Sequence, residues 1–115
     1  MLSVKYTIYR DDNSVLYSQR IKMDGGSQIL CRYDEADIYP MLGEVTTWDA
    51  ETFFFSDMDG LITELLNVRE TLTKPFDIEY LDDIVRLCQK CKANKKGQIV
   101  FNPLVDIIDL TPAKT

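Results

Sequence analysis

Apolar and polar positions alternate over residues 2–10, with Leu2, Val4, Tyr6 and Ile8 on one side and Ser3, Lys5, Thr7 and Tyr9 on the other. A period of two over this length predicts a strand with one buried face. The period returns through Val15, Tyr17, Gln19 and Ile21. Between the two runs, Asp11-Asp12-Asn13-Ser14 is turn chemistry, because Asx side chains bond their own backbone. The two runs are therefore expected to form an antiparallel hairpin. A second turn is expected at residues 24–27, a third strand at 28–33 and an irregular acidic stretch at 34–40. A short β-branched segment follows at 43–48, and a further strand is expected at 52–55.

Beyond this point the period becomes 3.6. Met58, Leu61, Ile62, Leu65, Val68 and Leu72 follow the spacing of an amphipathic helix. Ser56 and Asp59 resemble a capping box at its start, with Asp in place of Glu. Lys74-Pro75 ends the helix, because the residue before proline is pushed out of the helical region. Asp77 is placed to cap a second helix, whose apolar stripe is Ile78, Leu81, Ile84, Val85, Cys88 and Cys91. Lys90, Lys92, Lys95 and Lys96 suit the negative end of its dipole, and Gly97 is expected to stop it. Residues 98–101 are a last strand, and 104–110 fit either a short strand or a helical turn. No internal repeat divides the chain. Strands, then two helices, then a strand predict a single α+β domain over residues 1–115, an antiparallel β-sheet packed on one face by two α-helices. Strand order is left open.

Composition narrows the chemistry. The chain has 115 residues and no histidine, which excludes Ser-His-Asp and Cys-His catalysis and His-ligated metal. A chain of this length buries about two-thirds of its unfolded surface, enough for a core without disulfides. Three cysteines, an odd number, suit a reducing compartment. Lys5 and Arg10 interrupt the N-terminal apolar residues, so no signal-peptide core is present. No run approaches the roughly 20 apolar residues of a membrane helix. These features predict a cytoplasmic protein that engages no membrane.

Two motifs invite a catalytic reading. Phe53-Phe54-Phe55-Ser56-Asp57-Met58-Asp59-Gly60 resembles the first signature of haloacid-dehalogenase-type phosphatases, in which the first Asp is the nucleophile and the second a general acid. That chemistry also needs a lysine and an acidic pair from later strands of a doubly wound sheet. Here the downstream pair, Asp82-Asp83, falls inside a predicted helix. A helix N-terminus, whose dipole and free N–H groups they complement, is the preferred reading of Asp57 and Asp59. Cys88-Gln89-Lys90-Cys91 is a CxxC, but it lies near a helix C-terminus, where the dipole does not lower a thiol pKa. Both cysteines continue the apolar stripe and read as core. No cofactor and no metal site are expected.

Charge is unevenly spread. The net charge is −6, which argues against nucleic acid as a partner. Residues 31–85 carry three basic against fourteen acidic side chains, a net −11 between a +1 start and a +4 end. A solvated surface that keeps the protein dispersed explains such a stretch, and so does a face that steers and docks a basic partner. The second reading draws on Asp34, Glu35, Asp37, Glu44, Asp49 and Glu51, with Tyr33, Tyr39 and Trp48 interleaved. Aromatics amid acids make interface anchors. Tyr39 is taken with the acids as a partner contact, whereas Trp48 is expected to pack inside.

Ser56-Asp57-Met58-Asp59-Gly60-Leu61-Ile62-Thr63-Glu64-Leu65-Leu66, the cysteine-bearing second helix and Gly97-Gln98-Ile99-Val100-Phe101-Asn102-Pro103 together resemble immunity proteins of bacterial polymorphic and contact-dependent toxin systems. The resemblance covers about half the chain. It implies a non-enzymatic protein that binds a cognate toxin domain, often a nuclease, and is a monomer or weak dimer when free. The acidic cluster gives this reading a mechanism, occlusion of a basic active site. Two alternatives stay open: a small Asp-dependent phosphatase, and a mobile-element accessory protein that mimics DNA charge.

Overall fold

The computed structural model describes residues 2–23 and 26–103. Four strands, β1 (Leu2–Tyr9), β2 (Val15–Met23), β3 (Glu51–Phe54) and β4 (Gly97–Asn102), form one sheet of order β2-β1-β4-β3. All neighbours are antiparallel. Among the described residues there are also three α-helices, α1 (Gly26–Leu30), α2 (Met58–Arg69) and α3 (Pro75–Lys92). The protein is thus the α+β arrangement expected from the two periods, an antiparallel sheet with α2 and α3 on one face.

The hairpin forms as read. Asp12 accepts from the Ser14 backbone N–H at 2.9 Å and from its hydroxyl at 2.6 Å, and Asn13 takes a positive φ of 69°, which Asn tolerates. Alternation along β1 sends Leu2, Val4 and Tyr6 into the core, where Tyr6 donates to the Lys90 carbonyl of α3 at 3.3 Å. Ile99 and Phe101 of β4 and Phe53 of β3 extend this apolar layer. Facing it are Met58, Leu61, Leu65 and Val68 from α2 and Leu81, Ile84, Leu87, Cys88 and Cys91 from α3. Arg69 grips Asp82 through two hydrogen bonds, at 2.6 and 3.3 Å, and ties α2 to α3 at their exposed rim.

Several local expectations are corrected. Residues 28–33 are not a strand: they hold the end of α1 and the start of a 3₁₀ turn, Tyr33–Glu35. A short apolar run such as Ile29-Leu30 fits either structure, and here both side chains reach the core from one helical turn. Residues 43–48 form no strand either, since a 3₁₀ turn at Leu42–Glu44 buries Leu42 and Val45 without a ladder. The helix starts also differ. A 3₁₀ turn, Phe55–Asp57, precedes α2, and Asp57 rather than Asp59 reaches back, accepting from the Phe54 N–H at 2.8 Å. Asp59 pairs with Lys92 at 2.5 Å. Helix α3 begins at Pro75, not after Asp77, because proline has no N–H to leave unpaired in a first turn. It ends at Lys92, and Gly97 opens β4 instead of stopping the helix. A Cβ on Gly97 would sit 3.0 Å from the Tyr6 ring, so a larger residue there would require the ring to shift by a few tenths of an ångström. The expected element at 104–110 and much of the turn at 24–27 lie outside the described residues.

Cys88 and Cys91 are buried members of the core. Burial pushes both thiols up, Cys91 to about 11. A thiol raised in the folded state stays protonated while its unfolded counterpart, near 9, ionises. Stability is therefore fully present below pH 9 and falls as the pH rises from there toward about 11. A denaturation series across that window should show the decline, and Cys91→Ala should flatten it. A decline unchanged in Cys91→Ala would remove this thiol as a cause.

The loop that carries the acidic and aromatic residues

Residues 31–50 connect α1 to β3 with no strand or α-helix of their own. Loops longer than about 12–15 residues are uncommon in small domains and are usually functional or disordered. This one is anchored. Glu64 of α2 is a carboxylate only 7% exposed, and it accepts from the Met41 N–H at 3.1 Å and the Leu42 N–H at 2.9 Å. Leu42 is buried beside it, and its carbonyl accepts from the Arg32 N–H at 3.2 Å. Arg32 also donates through Nε to the Ile29 carbonyl at 2.9 Å, pairs with Glu35 at 3.0 Å and lies 5.5 Å over the Tyr39 ring. Glu64, read in the sequence only as part of a helix, is thus the loop's main anchor. A polar residue beside the buried positions of an amphipathic stripe is the signal that could have found it.

The two 3₁₀ turns pack closely. A Cβ on Gly43 would lie 2.7 Å from the Ala36 Cβ and 2.9 Å from its Cα. Backbone cannot yield as a flexible side-chain tip can, so Gly43→Val should cost about 1–3 kcal/mol as overpacking and loosen the loop. Urea denaturation and Trp48 fluorescence check this; an unchanged midpoint with unchanged emission would show that the turns can separate freely.

The acidic candidates fall into groups. Asp34 and Glu35 lie in the first 3₁₀ turn, Asp37 just beyond it, Glu44 in the second turn and Asp49 in the following bend. Asp34, Asp37, Glu44 and Asp49 are exposed and form no ion pair among the described residues. Arg32 is the only base between residues 31 and 68, and it is committed to Glu35. On the helices three acids are answered, Asp59 by Lys92, Asp82 by Arg69 and Asp83 by Arg86. Four of the acids without an ion pair among the described residues are thus grouped on the loop. Glu51 stands apart. It pairs in register with Phe101 at the sheet edge and is half-buried on the helix-covered side.

The aromatic expectations reverse. Tyr39 is 7% exposed, packs in the core beneath Arg32 and is no surface anchor. Trp48 is 63% exposed, not inside, and meets the 48%-exposed Tyr33 edge to face at 5.5 Å. Ile38 is also exposed. Tyr33 and Asp34 line an open depression of about 220 Å³ with Gln28, Cys31 and Thr47. Nothing in the alternation of so irregular a segment distinguishes which aromatic turns outward. The loop thus joins free carboxylates, an aromatic pair and a shallow recess on a firmly held backbone.

The other motifs are absorbed into the fold. Asp57 holds a backbone N–H and Asp59 a lysine, and the sheet beside them is antiparallel. No group of three or more Cys, Asp or Glu among the described residues is arranged to hold a metal ion, and no helix there is long and apolar enough to cross a membrane. Comparison with protein-family models, curated proteins and solved structures found nothing that matches this chain.

Proposed function

We propose that this chain is a non-enzymatic binding module that docks a basic protein through the 31–50 loop, acting as an immunity protein that occludes the active site of a cognate toxin domain. The observation that carries the reading is the exposed Tyr33 and Trp48 pair flanked by carboxylates that form no ion pair among the described residues. Free carboxylates in a mobile solvent would be ordinary surface. Held on a backbone pinned by Glu64 and beside an exposed indole, they form a prearranged surface, which lowers the ordering cost of binding. The carboxylates would pair with Lys or Arg that otherwise hold substrate phosphates, speeding association and selecting the partner. The indole would bury on contact and slow dissociation. Asp34, Asp37, Glu44, Asp49, Tyr33 and Trp48 are the contact residues of this reading; Glu35 is partly spent on Arg32, Tyr39 supports from below, and Glu51 lies aside.

The reading expects a toxin domain encoded beside this gene, and the test uses that domain. Wild-type protein should co-purify with it and suppress its activity. The variant Asp34→Asn/Asp37→Asn/Glu44→Gln/Asp49→Asn, whose substitutions are all exposed, should fold normally and bind at least tenfold more weakly, a loss of about 1.4 kcal/mol or more. Undiminished binding and protection by that variant would place the contact surface elsewhere.

A further inference from the structure

The 31–50 loop already holds one guanidinium. Arg32 lies 5.5 Å over the Tyr39 ring, pairs with the Glu35 carboxylate at 3.0 Å and donates through Nε to the Ile29 carbonyl at 2.9 Å. An aromatic face, a carboxylate and a neutral acceptor together bind it. Such a set suits a planar guanidinium, which stacks on a ring while its N–H fork meets a carboxylate. The same set recurs in the open depression of about 220 Å³ lined by Gln28, Cys31, Tyr33, Asp34 and Thr47. Tyr33 supplies a half-exposed ring, held by its edge-to-face contact with Trp48 at 5.5 Å. Asp34 supplies a carboxylate that forms no ion pair among the described residues. Gln28 and Thr47, both exposed, supply an amide and a hydroxyl oxygen that can accept. Burial pushes the Cys31 thiol up, so that wall stays neutral. Arg32, next to Tyr33 in the chain, is committed to Glu35 and Ile29.

We propose that this depression takes one arginine side chain of the basic partner, with its guanidinium against the Tyr33 ring and paired to Asp34. On the reading of the loop as a docking surface, on which this site depends, Tyr33 and Asp34 set which basic side chain the partner must present. Arginine is selected over lysine. An ammonium is a compact, strongly hydrated charge that gains little from a ring face and a spread of acceptors. A guanidinium carries several N–H donors in one plane. It can therefore satisfy Asp34 together with Gln28 and Thr47 while its flat face lies on Tyr33. Asp37, Glu44 and Asp49 then act at longer range, drawing either cation toward the loop without telling them apart.

The experiment needs no toxin. The isotope-labelled full chain is titrated with acetyl-arginine amide and, separately, with acetyl-lysine amide, and its backbone amide shifts are followed by NMR. The arginine compound should give a saturable shift centred on Gln28, Tyr33, Asp34 and Thr47, with an affinity about threefold or more above that of the lysine compound. Asp34→Asn should weaken arginine binding by about threefold or more, and Tyr33→Leu should bring it down to the lysine level. Both side chains are exposed, so both variants should keep the fold, which the same spectra report. Equal binding of the two compounds would overturn the proposal. So would arginine shifts centred on Asp37, Glu44 or Asp49, the absence of a saturable shift, or Asp34→Asn binding arginine as wild type does. This test and the toxin-binding test fail separately: loss of toxin binding in the four-residue variant with no arginine preference keeps the loop as the docking surface and removes the depression as its arginine site.

Discussion

Phe101→Ala should destabilise the protein by about 4 kcal/mol, within the range for emptying a buried aromatic site. Phe101 is completely buried and sits on β4, one of the two central strands. It is paired in register with Val4 on one side and Glu51 on the other, and its ring meets Phe53 edge to face at 5.6 Å. Deleting it removes apolar contact and an aromatic pair at once, and neighbours held in a ladder relax poorly into the gap. A domain of this size has about 5–15 kcal/mol in total, so a large share would be lost. The melting temperature should fall by more than 10 °C at roughly 4 °C per kcal/mol. Phe101→Leu, which keeps most of the volume, should cost less than half as much. A loss under 1 kcal/mol for Phe101→Ala in urea denaturation would contradict this view of the core.

Glu64→Ala should cost about 3 kcal/mol and act on the loop. Its carboxylate accepts from the Met41 and Leu42 N–H groups in a nearly dry position. Removing the acceptor strands two buried donors, each costing about 1–3 kcal/mol when unpaired. Glu64→Gln retains one carbonyl oxygen and should lose about half as much. Hydrogen exchange gives the specific reading, with faster exchange at Met41 and Leu42 in both variants. Partner binding should weaken although Glu64 touches no partner, because the loop would have to be ordered on contact. Unchanged exchange at these two amides would show that Glu64 does not hold the loop.

The sheet and the two long helices were readable because periodic segments write their burial into the spacing of apolar residues. Leu2, Val4 and Tyr6 turn inward as their alternation predicts, and Leu61, Leu65 and Val68 as the helical stripe predicts. The buried places of Cys88 and Cys91 followed from the same stripe. Helix starts were harder, since Ser56, Asp57 and Asp59 offer competing caps and only the 3₁₀ turn before α2 selects Asp57. The loop was readable in charge but not in shape. Its acids were visible as residues, yet Tyr39 and Trp48 exchanged their expected places. Tyr39 is drawn inward with the segment that Glu64 and Leu42 pin, whereas Trp48 lies in the bend after it. That exchange is tertiary in origin, because Glu64 is 23 residues from Met41 in the chain.

The claim that this loop is the contact surface for a basic partner is tested most directly by Trp48, the protein's only tryptophan. Its fluorescence, followed as a basic toxin domain of the proposed kind is mixed in over a range of salt, reports burial of the indole and the rate of association together. The expected result is a saturable blue shift whose association rate falls roughly tenfold from low to high salt, the behaviour of charge-steered binding. A tight complex that leaves Trp48 emission unmoved would contradict it.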